Sequence, residues 1–177
     1  MKLFLIAGKG HTGKNTIANF IKDYYDEIGE KTVIVSLAKY IKMYAMEISN
    51  WNGCEENKPR ELLQKLGMSV RQELGEDIFL RRVVEDISFY KVNYDNIVMP
   101  DLRLPLEIEY LREIYSDTYA IRVNRAIESN LSEEEKNHIT EIALDNYNRF
   151  DYEILNNDID VLREEIKKLL EGIDKNE

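Results

Sequence analysis

The stretch KLFLIAGKGHTGKNTIANFIKDYY runs from an apolar segment, through a glycine-bearing loop, into an amphipathic helix. Residues 2–7 are a short apolar run closed by glycine, the signature of a buried strand. Over residues 14–28, Ile17, Phe20, Ile21, Tyr24 and Ile28 share one helical stripe, and Gly29 ends it. A buried strand followed at once by a helix is the first half of a crossover unit, and such units build parallel sheets.

The alternation continues along the chain. TVIVS (32–36) is β-branched and reads as a second strand. Residues 37–95 are mostly helical: LAKYIKMYAMEI, then the loop NWNGCEEN, then PRELLQKLGMSVRQEL with Pro59 in its first turn, then EDIFLRRVVEDISFYKV. NIVMPD supplies a strand at 96–99, Leu104–Tyr115 an amphipathic helix, and TYAIRV (118–123) another strand. Ser132 and Glu135 fit a capping box, HITEIALDNYNRF (138–150) reads as a helix, DYEILNN (151–157) as a last strand and IDVLREEIKKLLEGI as a closing helix. The expected fold is a single three-layer α/β domain over 1–177, with a five-stranded, mainly parallel sheet flanked by helices and right-handed crossovers. Ligands then belong at the carboxyl ends of the strands.

Composition narrows the function. A net charge of −10 disfavours a nucleic-acid backbone as partner, since that needs a lysine and arginine face. The one cysteine, Cys54, admits no internal disulfide and no zinc spacing, so a reducing cytoplasm is the expected compartment. The apolar start is too short to span a membrane, and the loop interrupts any signal-like run. The tyrosines are expected in packing.

GKGHTGK matches the pattern G-x-x-x-x-G-K, here Gly8, Lys9, Gly10, His11, Thr12, Gly13 and Lys14. Glycines let backbone amides turn toward a phosphate chain, the following helix points its positive end at the same anion, and Lys14 adds a point charge. Asn15 stands where a serine or threonine would coordinate Mg²⁺. Thr16 comes one residue later, about 100° further round the helix. The expected metal ligands are therefore Thr16 and, from the end of the third strand, Asp101, with Mg²⁺ held largely by phosphates and water.

Arg103 follows Asp101 by two residues and can fork onto a phosphate. The competing reading is a helix-capping Asp101 beside a surface arginine. Lys58, Arg60 and Arg71 lie on the helical stretch between the second and third strands, where an acceptor site can be built; a solvated charged face is the plain alternative. Arg122 and Arg125 end the fourth strand and open a polar segment over about 122–140 that reads equally as a lid or as a simple surface loop. His138 and Glu141 share a helix face, which suits a local hydrogen bond better than a metal site.

Taken together, GKGHTGKNT, KPRELLQKLG with VRQELGEDIF, PDLRLPLEIEYLRE and HITEIALDNY resemble a phage and bacterial deoxynucleoside monophosphate kinase family over most of the chain. The resemblance implies a P-loop fold like that of adenylate kinase, ATP as donor, Mg²⁺, and a (deoxy)nucleoside monophosphate as acceptor. It implies that residues Gly8 to Thr16 bind nucleotide, with Gly13, Lys14, Asn15 and Thr16 holding the donor phosphates. Arg71 and Arg103 would serve the acceptor, and Arg122 and Arg125 would be lid arginines; Arg60, on the same helical stretch, is expected beside Arg71 and Arg103 on the acceptor side. Asn15 and Gly10 depart from residues frequent in such relatives. A monomer or homodimer acting on small molecules is expected. The alternatives are another small-molecule kinase, such as a dephospho-coenzyme A kinase, or an ATP-binding protein with little turnover.

Overall fold

The computed structural model describes residues 1–125 and 139–175. Five parallel strands form one sheet: β1 (Lys2–Ala7), β2 (Thr32–Ile34), β3 (Asn96–Leu102), β4 (Thr118–Asn124) and β5 (Tyr152–Leu155), in the order β2-β3-β1-β4-β5. The helices are α1 (Lys14–Glu27), α2 (Lys39–Ser49), α3 (Arg60–Leu74), α4 (Ile78–Tyr90), α5 (Pro105–Ile114), α6 (Ile139–Ile142) and α7 (Ile159–Asp174). The three-layer α/β architecture and its five-stranded parallel sheet are as the alternation of the sequence predicts.

β1 is central and wholly buried, which is why it is apolar from end to end. Side chains alternate across the sheet. Leu3, Leu5, Ala7, Ile97 and Met99 enter one core with residues of α4 and α5, among them Phe79, Leu80, Val83, Ile108 and Leu111. Phe4, Ile6, Val98, Ile121 and Val123 enter the other, against Ile17 and Ile21 of α1 and Leu162, Ile166 and Leu170 of α7. Asp158 starts α7 by accepting hydrogen bonds from the Asp160 and Val161 amides.

Three elements differ from the sequence reading. β2 is shorter, although Val35 still donates to the Val98 carbonyl at 2.9 Å. β3 runs on through Pro100 and Asp101 to Leu102, and its register with β1 gains one residue between Leu5 and Ala7. Pro100 has no N–H to give the ladder, and such a bulge re-aims the side chain beside it. The helix expected over 138–150 is confined to Ile139–Ile142 and followed by turns, as the Asp145-Asn146 pair favours. The Ser132–Glu135 capping box and His138 lie outside the described residues, as does most of the lid-like segment. Among the described residues no helix is long and apolar enough to cross a membrane.

The α1–sheet contact holds the loop before α1 in place, so its core is a sensitive point. Ile17 is fully buried. Ile17→Ala should cost about 2–5 kcal/mol, seen as a lower urea midpoint with an unchanged m-value.

Candidate phosphate-binding site

The order of the sheet places the loop of residues 8–13 at the carboxyl end of β1, between the ends of β3 and β4. Gly13 is the position before α1 and has φ +96°, a left-handed conformation. A Cβ there would lie 2.2 Å from Nδ2 of Asn156, which itself donates to the Thr12 carbonyl at 2.8 Å. At Gly8 a Cβ would meet the Val123 carbonyl oxygen at 2.5 Å. Gly8 is therefore required by space as well as by backbone angle, and Gly13 by its backbone angle, since the Asn156 side chain can give way. The Thr12 hydroxyl closes the loop by donating to the Lys9 carbonyl at 3.0 Å.

Lys14 turns back under this loop. Its Nζ donates to the Gly8 carbonyl at 2.8 Å and to the Lys9 carbonyl at 2.6 Å. Only 9% of the residue is exposed. Burial, and after it the neighbouring Arg103 guanidinium, push the ammonium down to about 7, against the pull of Glu141 and Asp101. A cation made this costly by its surroundings gains much from an arriving anion. Asn15 is exposed and Thr16 half-buried on the first turn of α1.

Arg103 reaches the loop from the end of β3: Nη1 donates to the Gly8 carbonyl at 3.2 Å and to Glu141 at 2.6 Å. Arg122 stacks on Phe150 and stands 3.8 Å from Asp145, while Arg125 donates to the His11 carbonyl at 3.1 Å. All three arginines picked out beside the loop thus converge on it, and Lys9 joins them through Asp145 at 3.0 Å.

Asp101 lines the neighbouring cavity but is engaged by the exit of β2. Its carboxylate accepts from the Ser36 hydroxyl at 2.5 Å, the Leu37 amide at 2.8 Å and the Ala38 amide at 3.0 Å. It caps the turn that leads into α2, across the sheet, rather than the helix that follows it. Three hydrogen bonds leave one lone-pair direction of the carboxylate for water or another donor. Among the described residues no group of three or more His, Cys, Asp or Glu side chains could hold a metal ion.

Beside the loop lies a cavity of about 600 Å³. Its floor is apolar, from Leu37, Ile41, Leu63 and Leu104, and around it stand five cations, Lys42, Lys58, Arg60, Arg71 and Arg103, interleaved with the carboxyl groups of Glu76, Asp101, Glu107 and Glu141. Arg60, Arg71 and Arg103, expected together from the sequence, do meet here. Glu55 pairs with Lys58 and Arg60, both at 2.9 Å, and Arg60 also approaches Nε2 of His11 at 3.4 Å. Arg71 lies over the Phe79 ring and 3.4 Å from Glu107.

Glu107, Lys42 and the seat of Glu141 were not read from the sequence. Lys42 donates to the Ser36 hydroxyl at 3.0 Å. Glu107 is 2% exposed and takes the Arg103 and Leu104 amides at 2.6 and 3.0 Å. The Pro105-x-Glu107 spacing is the available signal, because a glutamate at the third helical position reaches back over the helix start. Burial pushes its carboxyl up to about 7, against the amides and Arg71.

No protein-family model matches this chain, and no curated protein matches it. Several solved structures are similar in chain path. An APS kinase from Mycobacterium tuberculosis shares 13% identity, with 96% of this chain and 97% of that one covered and a TM-score of 0.47. A shikimate kinase from Aquifex aeolicus shares 12% identity, with 97% of each chain covered and a TM-score of 0.49. A shikimate kinase from Acinetobacter baumannii, solved with shikimate, shares 12% identity, with 99% and 94% covered and a TM-score of 0.47. Likeness at this distance bears on neither substrate nor reaction.

The Glu107 shift has a pH consequence. Between pH 4.5 and about 7 the folded protein keeps a proton on this carboxyl that the unfolded chain has released, so Glu107 makes stability fall as pH rises across that window. Urea midpoints measured at both ends of the window should show this fall in the wild type and a smaller one in Glu107→Gln.

Proposed function

We propose that this chain is a kinase that moves the γ-phosphoryl group of ATP onto the phosphate of a (deoxy)nucleoside monophosphate. The observation that carries this reading is the cavity beside the loop, where five cations, interleaved with carboxyl groups, ring an apolar floor next to the Lys14 loop. A ring of guanidinium and ammonium groups suits an anion, and an apolar floor suits a flat organic body attached to it. Gln64 and Gln72 line the same cavity and offer amide donors and acceptors of the kind a base edge requires.

In this reading residues Gly8 to Thr16 hold the donor phosphates, with loop amides and Lys14 drawing charge toward the β and γ oxygens. An acceptor phosphate oxygen attacks the γ-phosphorus, the bond to the β–γ bridging oxygen breaks, and ADP leaves with that oxygen. Lys14, Arg103, Arg122 and Arg125 neutralise charge spread over the transferring group, and Arg60 and Arg71 orient the acceptor. The segment carrying α2 to α4 is the acceptor-binding insertion, and the residues after Arg122 act as the lid. Thr16 would be the protein hydroxyl to hold Mg²⁺, and Asp101 would be the acid to approach it through water. When bound, the ion screens the phosphate oxygens of the donor.

The test is ADP production from ATP and Mg²⁺ against eight ribo- and deoxynucleoside monophosphates. Acceptor-dependent ADP should form with at least one and vanish in Lys14→Ala. Arg71→Ala should raise the acceptor KM by about 10- to 100-fold, the worth of one charge-assisted hydrogen bond. No ADP above the ATP-only control with any acceptor would overturn the reading.

A further inference from the structure

Glu141 occupies a position made for a phosphate oxygen. Its Oε2 accepts from the backbone N–H of Gly10 at 2.8 Å, and its Oε1 accepts from Arg103 Nη1 at 2.6 Å. The side chain is 10% exposed. A loop amide with a guanidinium beside it is the donor pair that anion-binding loops present to phosphate. At the rim Asp145 pairs with two further cations, 3.0 Å from Lys9 Nζ and 3.8 Å from Arg122. Thr140 and Glu141 also line both the large cavity and the smaller one over the loop.

The geometry points to Glu141 as an internal phosphate surrogate, which a nucleotide must displace from Gly10 and Arg103 before its own phosphates can seat. This rests on the loop being the donor site. Two consequences follow from the physics. First, the carboxylate is tethered and competes at a high effective concentration. A small free anion offers no more contacts than Glu141 does and also gives up its translational freedom. A magnesium-bound triphosphate brings more oxygens to the loop amides and Lys14, so it can win. Glu141 is then a specificity-determining residue that keeps inorganic phosphate and sulfate off the loop. Second, its displacement passes Arg103 from a protein carboxylate to a donor phosphate, and because Arg103 also lines the acceptor cavity, donor binding is felt on the acceptor side.

A structural role and a surrogate role move in opposite directions. If Glu141 merely holds the loop in shape, its removal weakens ligand binding. If it is a surrogate, its removal strengthens binding, because the ligand no longer has to empty the seat.

The experiment titrates Mg²⁺·ATP and, separately, inorganic phosphate into wild type, Glu141→Gln and Lys14→Ala by calorimetry, and follows the Gly10 amide resonance. Glu141→Gln should bind ATP about tenfold tighter than wild type, as for a seat filled in about nine of ten free molecules. It should also acquire measurable phosphate binding, and its Gly10 resonance should move in the ligand-free protein. Unchanged or weaker ATP binding in Glu141→Gln, with binding still lost in Lys14→Ala, overturns the surrogate while leaving the loop reading intact. ATP binding equal in wild type and Lys14→Ala, or absent from both, overturns the loop reading and the surrogate with it. Should Glu141→Gln not fold, Glu141→Asp keeps the charge but shortens its reach, and failure of that variant to tighten ATP binding overturns the proposal.

Discussion

The arrangement of the site depends on one buried ammonium. Lys14 is nearly shielded from water, and its two protein acceptors are carbonyls of the loop it supports. A charge so placed is tolerable only where its hydrogen bonds are met and counter-charge stands close. The neighbouring groups can be understood as answers to it. Arg103 aggravates the problem, and Glu141 and Asp101 relieve it. The strain falls on the side of the ligand-free protein, which is where a binding site gains most from holding it.

Sheet order turns this local problem into a functional address. With β1 central, the loop has the end of β3 on one side and that of β4 on the other. Arg103 comes from just beyond β3, and Arg122 and Arg125 from the end of β4, so residues far apart in sequence share one anion-sized region. The glycines do the complementary work: a side chain at Gly8 would strike β4, and one at Gly13 would strike Asn156 just past β5.

Much of this was legible from local pattern. The strand, loop and helix at the amino terminus were, because apolar periodicity and glycine placement are properties of neighbouring residues. The convergence of Arg60, Arg71 and Arg103 was legible only through the expectation of a parallel sheet with an insertion between its second and third strands. Asp101 shows the limit. Its position at a strand end was read correctly, but its partners, Ser36 and the amides of Leu37 and Ala38, lie on another strand's exit. The extra residue beside Pro100 that accompanies this aim is a feature of pairing. Lys42 and Glu107 were passed over for a related reason: a lysine or glutamate on a helix reads as solvated until the tertiary fold buries or encloses it. Glu141 was placed on the right element, yet its partners are Gly10 and Arg103, and no spacing within HITEIALDNY points to either.

The carboxylates around the cavity also differ in how readily they can let go. Glu107 is nearly sealed from solvent and holds two backbone amides at the start of α5 as well as Arg71, so removing it from its place would undo a helix start. Glu55 is its opposite: its own side chain is 63% exposed, although Lys58 and Arg60, with which it pairs, are largely shielded. Glu141 lies between, shielded like the first but tied, among the described residues, to one amide and one guanidinium. On the proposed function, an entering nucleotide would meet a graded set of counter-ions: Glu55 on Arg60, Glu141 in the seat it must empty, and Glu107, which stays as the support of Arg71.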